Sequence, residues 1–415
     1  MLKLKASKKT KKTPAGEIPV DWASTSIGQI AKIISGGTPS RGNGEFWGGA
    51  VPWIKTGAIN FSTIKEADEW ITQKGLEESA ARIIPCGTIL MAMYGQGKTR
   101  GQVAVLGIDA AINQACAAIL INDEVNRDFV FQQLIFRYAE IRRLSNTGNQ
   151  ENLNANLIRG IALALPPIAE QRKIAEILGA WDRAIEVLQA LLDAKNRRLR
   201  GLRQQLLTGA LRHPKFTKKP WIKVRLGELL KHIFRPVEWA PDRLFKLVSI
   251  RRRSGGLFRR EDLLGSEYKT TDMHELQAGD FLVSKRQVCH GAWGMVADAF
   301  AGTHVSKEYS IFVNKAPKVL YTPFLDWLSR LPLMWHYAFL SSNGVHREKL
   351  IFEPKDFLRF HIDVPPTLEE QETIIRILNA CEQEIQLTQR ELEARRTQKR
   401  GLMQKLLTGQ VRVKV

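Results

Sequence analysis

The fold of this chain is decided by a stretch that occurs twice, PPIAEQRKIAEILGAWDRAIEVLQALLDAKNRRLRGLRQQLLTG at residues 166–209 and PPTLEEQETIIRILNACEQEIQLTQRELEARRTQKRGLMQKLLTG at residues 365–409. From Gln171 and Gln371 onward the copies align without a gap at an offset of 200, and 17 of 39 positions are identical. A repeat of this length indicates two copies of one structural unit, and therefore internal pseudo-symmetry. Such a protein is suited to a partner that itself has two halves.

Both copies carry apolar residues at the alternating spacing of four and three that is typical of a coiled-coil helix. In the first copy these are Ile174, Leu178, Trp181, Ile185, Leu188, Leu192, Leu199, Leu202 and Leu206, with Lys195 as the polar break. In the second copy they are Ile374, Leu378, Cys381, Ile385, Leu392, Leu402 and Leu406, interrupted by Thr388, Arg395 and Lys399. We expect two helices, each roughly 60 Å long, that pack on each other as an antiparallel coiled coil. The alternative is that each helix docks on its own globular domain.

The two divergent segments that precede the helices show the pattern of mixed α+β domains. Strands are predicted at 51–54, 88–93, 102–106 and 115–121 with a helix at 129–144, and then at 281–283, 294–296 and 309–313 with a helix at 324–340. The predicted organisation is a basic N-terminal tail (1–15), a first variable domain (16–165), a central helix (166–210), a second variable domain (211–364) and a C-terminal helix (365–415). The fold class is therefore α+β with a pseudo-two-fold internal repeat.

The chain is strongly basic, since 62 Lys and Arg against 42 Asp and Glu give a formal charge of +20. The charge is clustered: six lysines lie within residues 1–12 and six more Lys or Arg within residues 212–225, without an acid in either run. Arg251, Arg252, Arg253, Arg259 and Arg260 form a third group. Such an excess predicts a polyanionic partner, most often nucleic acid.

The four cysteines are far apart and none forms a C-x-x-C pair, so the sequence does not predict a zinc site. We recognise no signal peptide and no apolar run of membrane-spanning length, and we expect a cytoplasmic protein without a membrane partner. AMYGQGKT at residues 92–99 resembles a phosphate-binding loop, but Ala92 replaces its first glycine and a strand-like segment follows. With no nucleotide-binding or methyl-transfer motif either, we predict no catalytic residues.

The order of several short motifs resembles the specificity subunit of type I restriction–modification enzymes. These motifs are SGGTPS at residues 35–40, VPWI at 51–54, IDxAxNQ at 108–114, the helix starts PPxxEQxxI at 166–174 and PPxxxEQxxI at 365–374, and both LLTG ends. The resemblance covers essentially the whole chain. The second variable domain departs from the pattern, because Val305-Ser306-Lys307-Glu308 stands where the Asn-Gln signature would align.

The resemblance implies two target-recognition domains, each reading one half of a bipartite, asymmetric site in double-stranded DNA. It also implies that the helices dock two modification (methyltransferase) subunits and that restriction (translocase) subunits join them. This chain would hold no cofactor or metal, while those partners would use S-adenosylmethionine, ATP and Mg²⁺.

Base edges are read by forked donors and acceptors, and side chains of this kind lie in loops between predicted strands of both variable domains. In the first domain the DNA-binding candidates are Arg41, Asn43, Gln96, Lys98, Thr99, Arg100, Gln102, Asn113 and Gln114. In the second they are Lys285, Arg286, Gln287, His290, His304, Ser306 and Lys307. For each residue the alternative is an ordinary role in the loop or the fold. For the whole chain the alternatives are a stand-alone duplicated DNA-binding regulator and an unrecognised enzyme.

Overall fold

The computed structural model describes residues 5–6, 9–95, 97–144, 152–268, 270–346 and 349–414. The chain divides into two compact units, unit 1 with residues 1–190 and 390–415, and unit 2 with residues 191–389. Each unit contains one variable domain and one half of each long helix. Within the described ranges, none of the helices is both long and apolar enough to cross a membrane.

The strands and helices follow one another in nearly the same order in both halves of the chain. The strands are β1 (Lys5–Ala6), β2 (Thr10–Thr13), β3 (Gly16–Pro19), β4 (Ala23–Ser26), β5 (Ala31–Ser35), β6 (Trp47–Ile54), β7 (Thr63–Ile64), β8 (Glu69–Ile71), β9 (Ile83–Ile84), β10 (Ile89–Ala92), β11 (Val103–Leu106), β12 (Ala110–Ile112), β13 (Cys116–Ile121), β14 (Ala162–Leu165), β15 (Ile222–Arg225), β16 (Leu230–Ile233), β17 (Pro236–Val237), β18 (Leu244–Ile250), β19 (Leu257–Leu264), β20 (Met273–Glu275), β21 (Phe281–Ser284), β22 (Trp293–Met295), β23 (His304–Ser306), β24 (Tyr309–Asn314), β25 (Ser342–Asn343), β26 (Ile351–Phe352), β27 (His361–Val364) and β28 (Val411–Arg412). The helices are α1 (Ile27–Ile30), α2 (Gln73–Glu77), α3 (Arg127–Phe136), α4 (Tyr138–Ile141), α5 (Ala155–Arg159), α6 (Ile168–Leu206), α7 (Leu226–Leu229), α8 (Thr322–Leu328), α9 (Pro332–Leu340), α10 (Pro354–Phe357) and α11 (Leu368–Leu407).

Unit 1 is built on a five-stranded sheet in the order β5-β13-β10-β11-β7 and a four-stranded sheet in the order β8-β6-β12-β9. Successive residues of a strand face opposite sides, so the five-stranded sheet has two buried faces. Ile89 and Met91 of β10 pack towards α3, whereas Leu90 and Ala92 pack towards Ile112 of the second sheet.

Unit 2 repeats this topology with different side chains. Its first sheet has the order β16-β24-β21-β22. Its second sheet has the order β17-β20-β23-β18-β19, which matches the four-stranded sheet of unit 1 read from β9 to β8, with β17 as an additional edge strand. The pairing directions also agree, because β12 with β6 and β23 with β18 are both parallel. Phe281 and Val283 pack towards α8 and α9, while Leu282 packs towards Val248 and Val305.

The strands predicted from sequence are present, but each of the predicted helices at 129–144 and 324–340 is wrong as a single element. The first is divided at Arg137 into α3 and α4, and the second into α8 and α9 at residues 329–331. In the second case Pro332 begins α9, where its missing amide hydrogen costs no helical hydrogen bond. The apolar spacing continues across both breaks, which is why the pattern did not reveal them.

The two long helices are antiparallel, as predicted. In unit 1, Ile174 and Leu178 near the start of α6 share a core with Leu406 near the end of α11. In unit 2, Leu206 near the end of α6 shares a core with Ile374 near the start of α11. The antiparallel coiled coil and the pseudo-two-fold repeat are therefore confirmed, and each helix half also packs on its own domain.

The predicted seam residues divide into buried and half-buried positions. The buried ones are Ile174, Leu178, Leu192, Leu206, Ile374, Leu378, Leu392 and Leu406, and the half-buried ones are Trp181, Ile185, Leu188, Leu199, Leu202, Ile385 and Leu402. The neighbouring Leu207, Leu407 and Met403 are buried too, although the heptad spacing does not include them. The buried stripe is therefore wider at the helix ends than a strict seam, because the domains cover those ends.

Candidate nucleic-acid interface and helix anchors

Three separate sequence motifs of the first domain meet at one junction. The Gly36 amide donates to the Cys116 carbonyl at 3.2 Å, and the Gly37 amide donates to the Ile112 carbonyl at 2.9 Å. A Cβ atom on Gly36 would lie 2.2 Å from the carbonyl oxygens of Ile112 and Asn113, so no larger residue fits there. Trp53 Nε1 donates to the Gly37 carbonyl at 3.0 Å. The SGGTPS loop, the VPWI strand and the Asn-Gln turn are thus joined by backbone contacts.

The two side chains of the Asn-Gln turn have different environments, one half-buried and one exposed. Asn113 is half-buried, and its amide donates to Thr56 Oγ1 at 3.2 Å, which ties it to the end of β6. Gln114 is exposed and accepts a hydrogen bond from Thr38 Oγ1. Gln114 therefore lies beside the loop that carries Arg41 and Asn43, with its amide close to solvent.

Arg41 stands on an aromatic platform within an ion-pair cluster. Its guanidinium lies 3.7 Å from the ring centre of Trp47 and 2.6 Å from Glu69, which also binds Lys55 at 2.6 Å. The hydrogen bond from Lys55, with a further one from Arg41, holds the pKa of Glu69 below its usual range. Asn43 accepts the Glu45 amide at 3.1 Å and so caps a short 3-10 turn. Two cations share one carboxylate here, which leaves a net positive surface.

A second group of candidates lies in the loop between β10 and β11 and has different neighbours. Lys98 is exposed, and its carbonyl accepts the hydroxyl of Tyr138. Arg100 is buried and donates from Nη2 to the Arg142 carbonyl at 2.9 Å, so it supports the loop from inside. Thr99 and Gln102 are half-buried, and Gln96 lies outside the described residues.

Tyr138 and Arg142 were not among the sequence candidates, although they shape this loop. Arg142 donates from Nη2 to the Gly97 carbonyl at 2.7 Å and stacks on the Tyr138 ring at 5.7 Å. Both residues lie four positions apart on one predicted helix face, and that spacing was the only available signal.

In the second domain several candidates are brought together by two neighbouring loops. The Lys285 amide donates to the Glu308 carbonyl at 2.9 Å, and Arg286 Nε lies 2.5 Å from the Glu308 carboxylate. Lys307 is exposed and only 3.9 Å from Asp272. Exposed ion pairs of this kind are weak and can be exchanged for phosphate at little cost. Gln287 and His290 are half-buried in the same loop.

His304 and Ser306 lie apart from this exposed group, because both are buried within β23. His304 Nδ1 accepts the Lys246 amide at 3.2 Å. Burial lowers the pKa of His304, so the imidazole is neutral at pH 7. In the position that corresponds to the SGGTPS loop, Arg235 instead forms a two-point pair with buried Asp280 at 2.6 and 2.7 Å.

Each long helix begins with a buried glutamate that binds an arginine and a tryptophan. In unit 1, Glu170 accepts from Arg412 at 2.6 and 2.7 Å and from Trp22 Nε1 at 3.3 Å. Arg412 also binds Asp21 at 2.8 and 2.9 Å. These contacts join the start of α6 to the segment after α11.

The same cluster is repeated in unit 2. Glu370 accepts from Arg212 at 2.8 and 2.9 Å and from Trp221 Nε1 at 3.1 Å. Its three members correspond to those of unit 1 at offsets of 199 or 200. The sequence showed these residues as parts of the repeat but did not indicate that they contact one another.

The glutamine after each glutamate connects the long helix to the domain. Gln171 accepts the amide of Asn126 at 2.9 Å, and Gln371 accepts the amide of Tyr321 at 2.8 Å. Asn126 and Tyr321 are the residues that immediately precede α3 and α8. The Glu-Gln pair therefore fixes both the partner helix and the variable domain to one helix start.

The polar breaks of the heptads find partners across the coiled coil. In unit 1, Lys399 is 7% exposed and binds Asp182 at 2.6 Å. In unit 2, Lys195 Nζ donates to Thr388 Oγ1 at 3.1 Å. A buried polar group is satisfied only in one register, so these pairs select the register at some cost in stability.

Throughout the residues for which coordinates are described, no group of three or more His, Cys, Asp and Glu side chains is arranged to hold a metal ion. Burial raises the pKa of Cys116 to about 12, so its thiol stays protonated.

Known proteins resemble this chain in sequence and fold. Residues 19–194 match the family model described as the Type I restriction modification DNA specificity domain. The Type I restriction enzyme MjaIX specificity subunit of Methanocaldococcus jannaschii is 28% identical over 191 residues, which are 45% of this chain and 44% of that protein. The putative type I restriction enzyme MjaX specificity subunit of the same organism is 24% identical over 97% of both chains.

A solved structure adds the fold of the whole chain. The crystal structure of the S subunit of a type I restriction–modification system from M. genitalium superposes with a TM-score of 0.60 at 13% identity, over 97% of this chain and 98% of that one. The duplicated domains, the antiparallel helices and these matches agree: the chain is similar, over nearly its whole length, to specificity subunits of type I restriction–modification enzymes.

Proposed function

We propose that this chain reads a bipartite, asymmetric site in double-stranded DNA, with one half-site for each recognition domain. The observation that carries the proposal is a repeated topology with different loop chemistry. Apart from one edge strand in each sheet, both domains share the same strand order, yet the first exposes Lys98 and Gln114 in its loops and the second exposes Arg286 and Lys307. Because base edges are distinguished by the pattern of donors and acceptors, two unlike loop sets favour two unlike half-sites.

The proposed contacts fall into two classes. Exposed cations such as Lys98 and Lys307 would neutralise phosphates and supply affinity that depends on salt. Gln114 and Arg286 carry forked groups near solvent and are the stronger candidates for base contact. Arg100 and His304 are buried and would act by shaping the loops.

The duplicated helix starts support a scaffolding role as part of the same proposal. Two equivalent anchors, built on Glu170 and Glu370, would give two modification subunits equivalent docking sites. Restriction subunits would join that assembly. The chain itself would bind no cofactor, and S-adenosylmethionine, ATP and Mg²⁺ would be used by the partner subunits.

An exchange of the second domain is expected to change one half-site only. Residues 217–364 would be replaced by those of a relative with a different methylation site, and the methylated adenines of the host genome would be sequenced. The first half-site should persist because residues 16–165 are untouched, and the reciprocal exchange of 16–165 is the matched control. A change in both half-sites, or in neither, would contradict the proposal.

Co-expression with the neighbouring genes is expected to yield a complex that contains a methyltransferase. The tagged chain would be purified in 0.15 M salt, and the subunit ratio measured by mass. The wild-type chain should hold two modification subunits, because its anchors are duplicated. A chain that binds DNA but brings down no methyltransferase would favour the stand-alone regulator instead.

A further inference from the structure

The hairpin that joins β18 and β19 in unit 2 has an unusual tip. Arg253 and Ser254 adopt φ angles of +59° and +53°, a region that side-chain-bearing residues rarely occupy. The Arg253 amide donates to the His290 carbonyl at 2.7 Å, and the Ser254 amide donates to the Gly291 carbonyl at 2.8 Å. These two bonds hold the tip in its strained conformation, so the backbone position of both residues is defined.

A cavity of about 540 Å³ opens beside this tip. Arg203 of α6, Glu382 of α11, Arg330 and Trp335 line it together with Arg253 and Ser254. Three arginines and a single carboxylate among the lining residues make it strongly positive.

The arginines of the cavity differ in how they are neutralised. Arg330 binds Asp326 at 3.1 Å and Glu382 at 3.0 Å, so its charge is compensated. Arg203 has no such partner: its Nε is buried and makes no hydrogen bond to any residue that the structure describes. Ser254 Oγ is also buried and also makes no hydrogen bond to a described residue. A buried donor that lacks an acceptor is costly, and the Arg203 side chain that carries this donor is half-buried.

The charge environment of Arg203 adds to this cost. Burial, followed by repulsion from Arg330 and Arg200, lowers the pKa of the Arg203 guanidinium. Arginine nevertheless stays protonated in proteins, so the charge cannot be relieved by losing a proton. An anion from outside the chain would relieve it.

The equivalent place in unit 1 shows that the fold itself does not require this arginine. A cavity of about 460 Å³ lies there beside Phe61, which has a φ of +65°. At the offset of 200, Met403 takes the place of Arg203, and Asp182 takes the place of Glu382. The buried cation of that cavity, Lys399, is paired with Asp182 at 2.6 Å. In unit 1 the buried cation is thus paired with a carboxylate, whereas in unit 2 the buried Nε of Arg203 makes no hydrogen bond to a described residue.

We propose that the cavity of unit 2 binds an oxyanion, a phosphate or a carboxylate group, with Arg203 and Ser254 Oγ as donors. The guanidinium offers a planar fork that matches both groups, and the ring of Trp335 forms part of the cavity wall. This inference goes beyond DNA reading, because none of the candidates for base contact that the structure describes lines the cavity. The candidate His290 lies nearby, since its carbonyl accepts the Arg253 amide.

The test compares the full wild-type chain with Arg203→Met, which introduces the residue found in unit 1. Potassium chloride is replaced at constant ionic strength by potassium phosphate or by potassium glutamate, and Tm and calorimetric affinity are measured. The wild type should gain stability with at least one of these anions, and Arg203→Met should bind it at least about tenfold more weakly. In chloride alone, Arg203→Met should have a higher Tm than the wild type, because the variant removes a donor that has no acceptor. If the arginine had a purely structural role, its removal would lower the Tm instead.

Two further variants make the result unambiguous. Arg200→Met removes an exposed charge from the same helix and should keep the anion response of the wild type. Arg253→Asn removes another arginine of the cavity and introduces a residue that tolerates a positive φ. It should also weaken the anion response, and it tests the proposal independently of whether Arg203→Met folds. A response to phosphate only, or to glutamate only, identifies the ligand chemistry. Equal responses in wild type and Arg203→Met, or no response to either anion, would overturn the proposal.

Discussion

Gly409→Ala is expected to destabilise the protein by about 2–5 kcal/mol, as the sum of left-handed backbone strain and overpacking. Gly409 has a φ of +69° directly after α11, where a residue with a side chain is strained. An added Cβ would lie 2.4 Å from Pro19 Cγ and 3.2 Å from the Trp22 ring. Neither is the end of a flexible side chain, so the helix end itself would have to move. Urea unfolding of the purified chain measures the loss.

Gly401→Ala is the matched control, since it adds the same methyl group two turns earlier in α11. Apart from the adjacent residues and the surrounding helix backbone, no atom of the described residues lies within 4 Å of the added Cβ, and the backbone is helical. This variant should gain about 0.5–1 kcal/mol from helix propensity alone. Gly209→Ala should lie between the two, because its φ of +72° is also strained but the atoms nearest to its Cβ, those of the Trp221 ring, lie at 3.2 Å. Similar stabilities for Gly409→Ala and Gly401→Ala would show that the helix end is not held as described.

Glu370→Gln is expected to cost about 3–5 kcal/mol, the usual effect of removing one partner of a buried ion pair. The side chains of Glu370 and Arg212 are only 3% and 13% exposed. The hydrogen bond to Glu370 raises the pKa of Arg212. Arginine stays protonated in proteins even without such a partner, so the guanidinium remains charged in the variant. Gln keeps the size of the side chain, and the loss measured by urea unfolding therefore reports the charge.

Glu170→Gln provides the comparison within the same chain and should cost less. Arg412 keeps Asp21 as a second carboxylate at 2.8 and 2.9 Å, whereas Arg212 has no second acid within 4 Å among the residues with described coordinates. The hydrogen bond from Arg412 lowers the pKa of Asp21 below 3.8, so this residual support is present above pH 3.8 and is lost as the pH falls further. Equal losses for both variants would contradict the role given to Asp21.

Much of the architecture could be read from local patterns. The strands at residues 89–92 and 309–314 were predicted from short apolar runs between turn residues, because each strand buries a continuous face. The breaks that divide α3 from α4 and α8 from α9 were missed, since apolar residues continue across them. The candidates for DNA contact also fall into two groups that the sequence could not separate. Lys98 and Lys307 are exposed, whereas Arg100 and His304, whose side chains are chemically just as suitable, are buried.

The sequence by itself determined the duplication and the two long helices, and it led to the expectation of a polyanionic partner, because repetition, heptad spacing and net charge can be read from the residues alone. Only the tertiary structure decided which polar residues are paired. Glu170 and Arg412 are 242 positions apart, and Arg212 binds a carboxylate, whereas the buried Nε of Arg203 makes no hydrogen bond to any described residue. A periodic pattern tells which face of a helix is buried, but the partner of a charge depends on where distant segments of the chain come together.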